Sequence, residues 1–343
     1  MNLKGKTILF ICPKFFGYEE YIVSEMEKMG AEVLFLNDRP FDNPMQSALT
    51  KIFPRFGRFI GSRILQKGLN KNAKKNSFDI LFVINGQTLS KVFLMQVRAL
   101  NPKLRSILYL WDSIKNRKII QRNFDFFDNI FTFDPEDARR YKLTFHPLFF
   151  KFSSEKQKMK KSGGDSHRIV FIGTMHSDRY KVIKAIKKNI PKDVKTNLYM
   201  FHKALWVYWF YKFTKKEYRK TTKNEFRFKP ISQKEMLEVL TNSTIFLDVE
   251  HPLQTGLTIR TIEAMGLGKK IITTNASIRN YDFYDPNNIA IIDRHDTSPK
   301  IEMDFWRSQH VKIDEEIKNR YALKSWIMDI VTSPDKDNQL HET

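Results

Sequence analysis

Short apolar runs, each followed by a helical pattern, recur along this chain, break once, and then recur again. Parallel strands need a crossover element between them, so this alternation predicts parallel-sheet α/β folding. In the first half the runs are 7–12, 32–36, 79–84, 105–110, 129–133 and a short 143–146. Helices are expected over 19–29, with Gly30 at the C-cap, from about Ser90 onward, and over 135–141. The runs are continuously apolar rather than alternating, which predicts strands buried on both faces.

The composition changes over 151–167, which is rich in Lys, Ser and Gly and reads as a surface linker and domain boundary. The cycle then restarts. Strands are expected at 168–173, 196–201, 225–229, 244–249 and 269–273, and helices at 180–188, 233–241 and 257–267. Ser232 and Glu235 form a capping box that opens the helix at 233. Residues 203–220 are aromatic, basic and helical in pattern, and 317–331 reads as one final helix. The expected fold class is therefore α/β, with two doubly wound domains facing a cleft. Their expected bounds are 1–150 and 151–315, with 316–343 as a C-terminal helix.

A length of 343 residues suits two domains. The net charge of +21 implies an anionic partner: nucleic acid, an acidic membrane surface or a phosphorylated substrate. The single cysteine, Cys12, excludes a disulfide framework or a cysteine-rich zinc site and reads as a buried, inert thiol. The apolar run at 7–12 is too short for a secretory leader, and no long uncharged apolar stretch appears, so a cytoplasmic, soluble or peripheral protein is expected. There is no P-loop, no Gly-rich turn after the first strand and no nucleic-acid-binding signature, so nucleic acid is not an expected partner.

The most informative stretch is Asp248 to Lys270, where a strand ends and a loop containing Pro252 and Gly256 leads into a helix. Ligands of open α/β sheets bind outside such strand ends. Gly256 permits close backbone approach, and a helix N-terminus favours a diphosphate. Glu263 is expected two turns inside that helix, on the face of Gly256 and Arg260, where its carboxylate could accept from vicinal ribose hydroxyls. The alternative is an ordinary helix start with a solvated Glu and Arg. A second candidate site follows the strand at 168–173: Gly173, His176, Ser177 and Arg179 lie at a helix mouth, where Arg179 would pair with phosphate or simply sit on the surface. Lys229, before Pro230, ends a further strand and is either a nucleotide contact or solvated.

General-base chemistry at a hydroxyl needs a carboxylate or imidazole beside it. The strand-end candidates are Asp112, Glu19, Asp134 and His146; Asp112 follows Trp111, on which a sugar could stack. The alternatives are helix N-caps for Asp112 and Asp134 and a buried linker contact for His146. Segments 47–75 and 203–220 interleave cations with large apolar residues. That mixture suits an amphipathic helix on an anionic bilayer, or a core-facing helix with a solvated basic face.

The block Gly256-(x6)-Glu263-Ala-Met-Gly-Leu-Gly-Lys, before a strand and Thr273-Thr-Asn275, resembles the donor-binding signature of GT-B glycosyltransferases. More closely, the chain resembles bacterial lipopolysaccharide and capsule glycosyltransferases. The resemblance runs through Leu108–Asp112, Phe131–Asp134, Phe171–Thr174, His176–Tyr180, Gln254–Arg260 and Asn280–Tyr284. It implies two Rossmann-like domains, with the acceptor in the first and a nucleotide-sugar donor in the second. The donor contacts would come from Gly173, His176, Arg179, Lys229, Gln254, Thr255, Gly256, Leu257, Arg260 and Glu263. The final helix, anchored by Trp326, would pack on the first domain. The acceptor would be a saccharide or lipid-linked saccharide, and neither metal nor other cofactor is expected. Many retaining members carry a second Glu eight residues before the helix Glu; Thr255 stands there, beside Gln254. Retention and inversion both remain open on this pattern, as does a nucleotide-sugar epimerase of the same shape or a non-catalytic polysaccharide-assembly protein.

Overall fold

A computed structural model describes residues 3–39, 54–71, 77–116, 118–151 and 168–334. The chain divides into two compact units, Met1–Pro147 with Leu323–Thr343, and Leu148–Ala322.

The first unit is a six-stranded parallel sheet. In chain order its elements are β1 (Thr7–Cys12), α1 (Tyr18–Lys28), β2 (Glu32–Asn37), α2 (Pro54–Lys71), β3 (Ile80–Ile84), α3 (Lys91–Leu100), β4 (Arg105–Leu110), β5 (Asn129–Thr132), α4 (Pro135–Tyr141) and β6 (Thr144–Phe145). The strand order is β2-β1-β3-β4-β5-β6. Ile8 to Cys12 and all of β3 are buried, because a parallel sheet is covered on both faces. Gly30 closes α1 with φ +93, and a Cβ there would sit 2.9 Å from the Lys4 backbone, so both conformation and space demand glycine. Burial pushes the Cys12 thiol well up, and it donates to the Pro13 carbonyl, an inert arrangement.

The second unit is a five-stranded parallel sheet. It holds β7 (Arg168–Thr174), α5 (Arg179–Lys187), β8 (Lys195–Phe201), α6 (Leu205–Thr214), α7 (Gln233–Thr241), β9 (Ile245–Asp248), α8 (Ile259–Gly266), β10 (Lys270–Thr273), β11 (Ile289–Ile291), α9 (Met303–Arg307) and α10 (Glu315–Arg320). The order is β11-β10-β9-β7-β8. The fold class is thus as expected: two parallel-sheet, doubly wound α/β units.

Three local expectations change. The strand expected over 225–229 is a 3-10 turn at Lys223–Glu225, capped by Thr222, followed by a single bridge from Arg227 to Phe201. Its apolar residues serve a cluster instead: the Phe226 ring stacks on Tyr218 at 5.5 Å. The helix after Gly256 begins later than expected, at Ile259, because Thr258 caps it by accepting from the Thr261 N–H. Finally, the single helix expected over 317–331 is two. Phe150 N–H takes the Tyr321 carbonyl, Phe150 bridges Ala322, and Tyr321 Oη donates to Asp282 at 2.6 Å, so the chain breaks between α10 and α11 (Leu323–Thr332).

That break is also where the chain passes from the second unit to the first. In the first unit α11 buries Trp326 completely, edge-on to Tyr109 at 4.8 Å and beside Phe82 at 5.9 Å. Arg105 of β4 donates to the Val331 and Ser333 carbonyls, and Asn129 of β5 to Pro334. Of the expected linker, only Lys151 lies within the described residues.

Candidate functional site

In each sheet the chain leaves its first strand toward one edge and then returns to the other side. The points where the order reverses lie between β1 and β3 and between β7 and β9. A crevice opens at the C-terminal strand ends of such a switch point, because the two flanking loops depart in opposite directions.

At the second switch point the loops after β7, β9, β10 and β11 are tied into one polar network. The β7 loop runs through Met175, His176 and Ser177, the last with φ +46, a strained conformation for a residue with a side chain. Asp178 and Arg179 follow. Arg179 is buried; its Nε donates to the Val249 carbonyl at 2.6 Å and its Nη1 to the Thr174 carbonyl at 2.7 Å. It thereby clamps the ends of β7 and β9 together. Gly173 makes room for this, since a Cβ there would lie 3.1 Å from Nη1 of Arg179. Burial draws the Arg179 guanidinium down to about 10, which leaves it cationic at neutral pH, and the neighbouring Asp248 and Glu250 charges oppose that fall.

Glu250, buried just past β9, pairs with Arg294 through Nη2 and accepts from Thr274 Oγ1. Arg294 also donates to Asp178 at 2.8 Å and to the Glu250 carbonyl at 2.9 Å. Burial pulls the Arg294 guanidinium down, but the Glu250 and Asp178 carboxylates outweigh it and hold the group above its usual value. Arg294 lines a pocket of about 460 Å³ with Arg279, His295 and Thr274 at the ends of β10 and β11. Sequence reasoning passed over Arg294. The signal available was the apolar run Ile289–Ile292 ending in Asp293-Arg294, a strand end bearing a cation.

His176 and His251 face each other across this crevice, ring centroids 5.3 Å apart. Burial, with Arg179 next, drives His176 down to about 3, and burial lowers His251 as well. His176 is therefore neutral at physiological pH, a hydrogen-bonding group rather than a cation; its Nδ1 lies 2.9 Å from Ser177 Oγ.

The α8 entrance joins the same network. Thr261 Oγ1 donates to Asp248 at 2.7 Å, and Asn275 Nδ2 donates to the Thr255 and Gly256 carbonyls. Gln254 Nε2 closes the loop onto the Gly256 carbonyl at 2.8 Å, and Leu257 is buried beneath it. Glu263 lies in the second turn of α8, fully buried, with Oε2 2.5 Å from Arg260 Nη1. Gly256 precedes the helix, so its expected place on the helical face of Glu263 does not hold. Lys229 is exposed, and its carbonyl accepts from Tyr199 Oη.

Asp248 supplies a measurable signature of this network. Burial, reinforced by Glu250, pushes its carboxyl from the usual 3.8 up to about 6. Below pH 4 the group is protonated whether the chain is folded or unfolded and costs nothing. Between pH 4 and 6 the unfolded chain ionises first, so stability falls; above about 6 the loss is complete. The displacement corresponds to about 3 kcal/mol. Asp248→Asn removes the titration while its amide oxygen can still accept from Thr261. The substitution is expected to raise the melting temperature at pH 7 and to leave it unchanged at pH 4. Equal changes at both pH values would contradict this account.

At the first switch point, Asn85 (φ +62) and Gly86 (φ +62) turn the chain sharply after β3. Asn85 Oδ1 accepts from Trp111 N–H and its Nδ2 donates to Asp112 Oδ2, both at 3.1 Å. Arg39 reaches the same Asp112 oxygen at 3.7 Å. Buried Asp38 accepts from Gln87 and Thr88 N–H, joining the β2 and β3 loops. Phe15 lies 5.9 Å from Trp111, an aromatic wall beside Asp112. Asp112 stands just before the 3-10 turn Ile114–Asn116. Of the other base candidates, Asp134 is the N-cap of α4. Glu19 is buried and accepts from Phe15 N–H at 3.0 Å. His146 follows the edge strand β6, away from the switch point, where Nε2 meets Asp329 of α11 at 3.3 Å.

No family model matches the chain. No curated protein matches it either. Among solved structures it is similar to sucrose-phosphate synthase from Thermosynechococcus elongatus, with 10% identity, TM-score 0.57, and 98% of this chain and 99% of that one covered. It is similar to a glycosyltransferase from Rickettsia africae at 12% identity and TM-score 0.52, covering 96% and 99%. It is similar to UDP-N-acetylglucosamine 2-epimerase from Rickettsia bellii at 13% identity and TM-score 0.51, covering 98% of both chains. These are likenesses of fold: two Rossmann-like units of the GT-B kind, an architecture on which both transferases and epimerases are found.

Proposed function

We propose that this protein is a glycosyltransferase that takes a sugar from a nucleotide-sugar donor held by the second unit and passes it to an acceptor held by the first. The observation that carries the reading is the convergence of Arg179, Arg294 and the Thr258-capped start of α8 on one hydrogen-bonded network at the β7/β9 switch point. Such a crevice suits a diphosphate, because cations and helix N–H groups offset its charge without a metal. Every arginine in the network already has a protein partner, so the frame is held rigid before any ligand arrives. Glu263 takes the ribose hydroxyls in this reading, and Arg260 fixes its carboxylate. His176, Gln254, Thr255, Gly256 and Leu257 shape the donor loops. Asp112 takes the acceptor proton if transfer is inverting.

The finer reading is a role in bacterial surface polysaccharide synthesis at the cytoplasmic face of the membrane. It rests on the resemblance carried by Leu108–Asp112 and Gln254–Arg260. The epimerase is the second reading, supported by the fold shared with the Rickettsia bellii enzyme.

A thermal-shift screen against nucleotides and nucleotide sugars tests the proposal, since a ligand that binds only the folded chain raises its melting point. A nucleoside diphosphate or its sugar is expected to stabilise the protein. Conversion of the donor into another sugar nucleotide without acceptor would favour the epimerase. Glu263→Ala would strand the Arg260 cation and confound binding with stability, so Glu263→Gln is the cleaner probe. It is expected to weaken nucleotide binding by about 1–3 kcal/mol, the cost of lost charge-assisted hydrogen bonds. Unchanged affinity would remove Glu263 from the ribose.

A further inference from the structure

Helix α6 is turned opposite to what a surface helix requires. Its exposed positions include Leu205, Trp206, Trp209, Phe210 and Phe213, with Trp206 at 62% and Phe213 at 77% exposure. Successive helical residues are about 100° apart, so these five fall on one stripe covering about 140° of the helix. The opposite side is seated in the fold. Tyr208 is buried, its ring 5.3 Å from Phe226 and its Oη donating to the Thr221 carbonyl. Lys212 Nζ reaches the same carbonyl at 2.5 Å, and Tyr211 lies 5.3 Å from Tyr218. Beneath them, buried His202 is ringed by Tyr208, Tyr211, Tyr218 and Phe226. The helix is therefore fixed, and the aromatic stripe is held outward. An apolar stripe of this kind on a well-anchored helix marks an interaction surface.

We infer that α6 docks the chain on an anionic lipid surface, with this stripe inserted among the lipids and a basic rim against the headgroups. The charge around the helix selects this occupant. From Lys203 to Lys223 the sequence has a single acid, Glu217. Lys203, just before the helix, and Lys216, Arg219, Lys220 and Lys223, after it, are exposed. A second copy of the chain would bring the same cations face to face in an isologous contact, which like charges oppose. Aromatic rings flanked by Lys and Arg are what the membrane interface favours. Among the described residues no helix is long and apolar enough to cross a membrane, so α6 lies in the interface rather than spanning it. The inference does not depend on the transferase reading, because its test measures lipid binding and not sugar transfer.

The experiment is co-sedimentation of the full chain with phosphatidylcholine vesicles, with and without phosphatidylglycerol, at low and high salt. The chain is expected to bind the anionic vesicles, to bind less as salt screens the rim, and to show blue-shifted tryptophan emission when bound. Trp206→Ser, Phe210→Ser and Phe213→Ser together are expected to reduce partitioning by about tenfold or more. Their melting temperature is expected to stay close to the parent's, because each of these side chains is more than half exposed. Phe213→Glu alone is expected to weaken binding in the same direction. Equal partitioning by the triple variant, or no sedimentation with anionic vesicles, would overturn the inference. So would a dimer in light scattering that the triple variant abolishes while vesicles bind nothing; that result would assign the stripe to a second copy.

Discussion

Asp112→Asn is expected to lower sugar transfer by about a hundredfold to ten-thousandfold, the usual contribution of a positioned general base, while donor affinity stays unchanged. The substitution preserves shape. An amide oxygen at the Oδ2 position still accepts from Asn85 Nδ2, so the turn after β3 is retained. What disappears is the carboxylate that can take a proton. The geometry ranks Asp112 above the other candidates. Its side chain is about one-third exposed, beside the Phe15–Trp111 wall. Glu19 spends an oxygen on the Phe15 N–H inside the fold, and His146 is bound to α11. Glu19→Gln is therefore expected to act mainly on stability. The assay is turnover of whichever nucleotide sugar the thermal-shift screen selects, with product stereochemistry read alongside. Near-normal turnover in Asp112→Asn would reject the assignment, and a product that keeps the donor's anomeric configuration would replace the single-base frame altogether.

The strands were legible because their signal is local. A continuously apolar run such as Ile80–Ile84 has few alternatives to a strand buried on both faces. Loops at strand ends were legible for the same reason, so the strand-to-helix turns after β7 and β9 fall near Gly173 and Gly256. The partners of the charged residues were not legible. Arg179 carries the same charge as the lysines around it, and nothing in its neighbours says that it turns inward to two backbone carbonyls while Lys184 and Lys187 stay on the helix's outer turns. Nor does the sequence say that Glu263 is fully buried against Arg260, since an i, i+3 pair looks the same on a solvated face. Helix α6 failed differently. Tyr208 and Tyr211 on one side and Trp206, Trp209, Phe210 and Phe213 on the other are all aromatic, so periodicity identifies a helix without saying which face is inside. Within segment 47–75, residues 54–71 form α2, with Leu65 and Leu69 in the core and Phe59 and Ile64 exposed. Residues 47–53 and 72–75, and the side chains of Arg55 and Arg58, lie outside the described residues.

Arg294→Met is expected to destabilise the protein by about 3–5 kcal/mol, the cost of removing one partner from a buried ion pair. Arg294 and Glu250 both have side chains largely out of water, and Arg294 holds Asp178 and the Glu250 carbonyl as well. Methionine has a similar volume, so little of the loss is cavity formation; it comes from a buried carboxylate left without its cation. Glu250→Gln combined with Arg294→Met removes both charges and is expected to recover much of the loss, because an uncharged buried pair no longer has a desolvated ion to compensate. Denaturant unfolding of the wild type, the two single variants and the double variant closes the cycle. A coupling energy near zero would mean that the two groups act separately and that the network is not one unit. The same variants bear on donor binding. Arg294 lines the pocket at the ends of β10 and β11, so the double variant, refolded but without its cation, separates a positioning role from direct contact with phosphate. If the double variant regains stability and still fails to bind nucleotide, the guanidinium itself meets the ligand. If it regains both, Arg294 serves to hold the β7 and β9 loops in register for Arg179 and the start of α8 to act on.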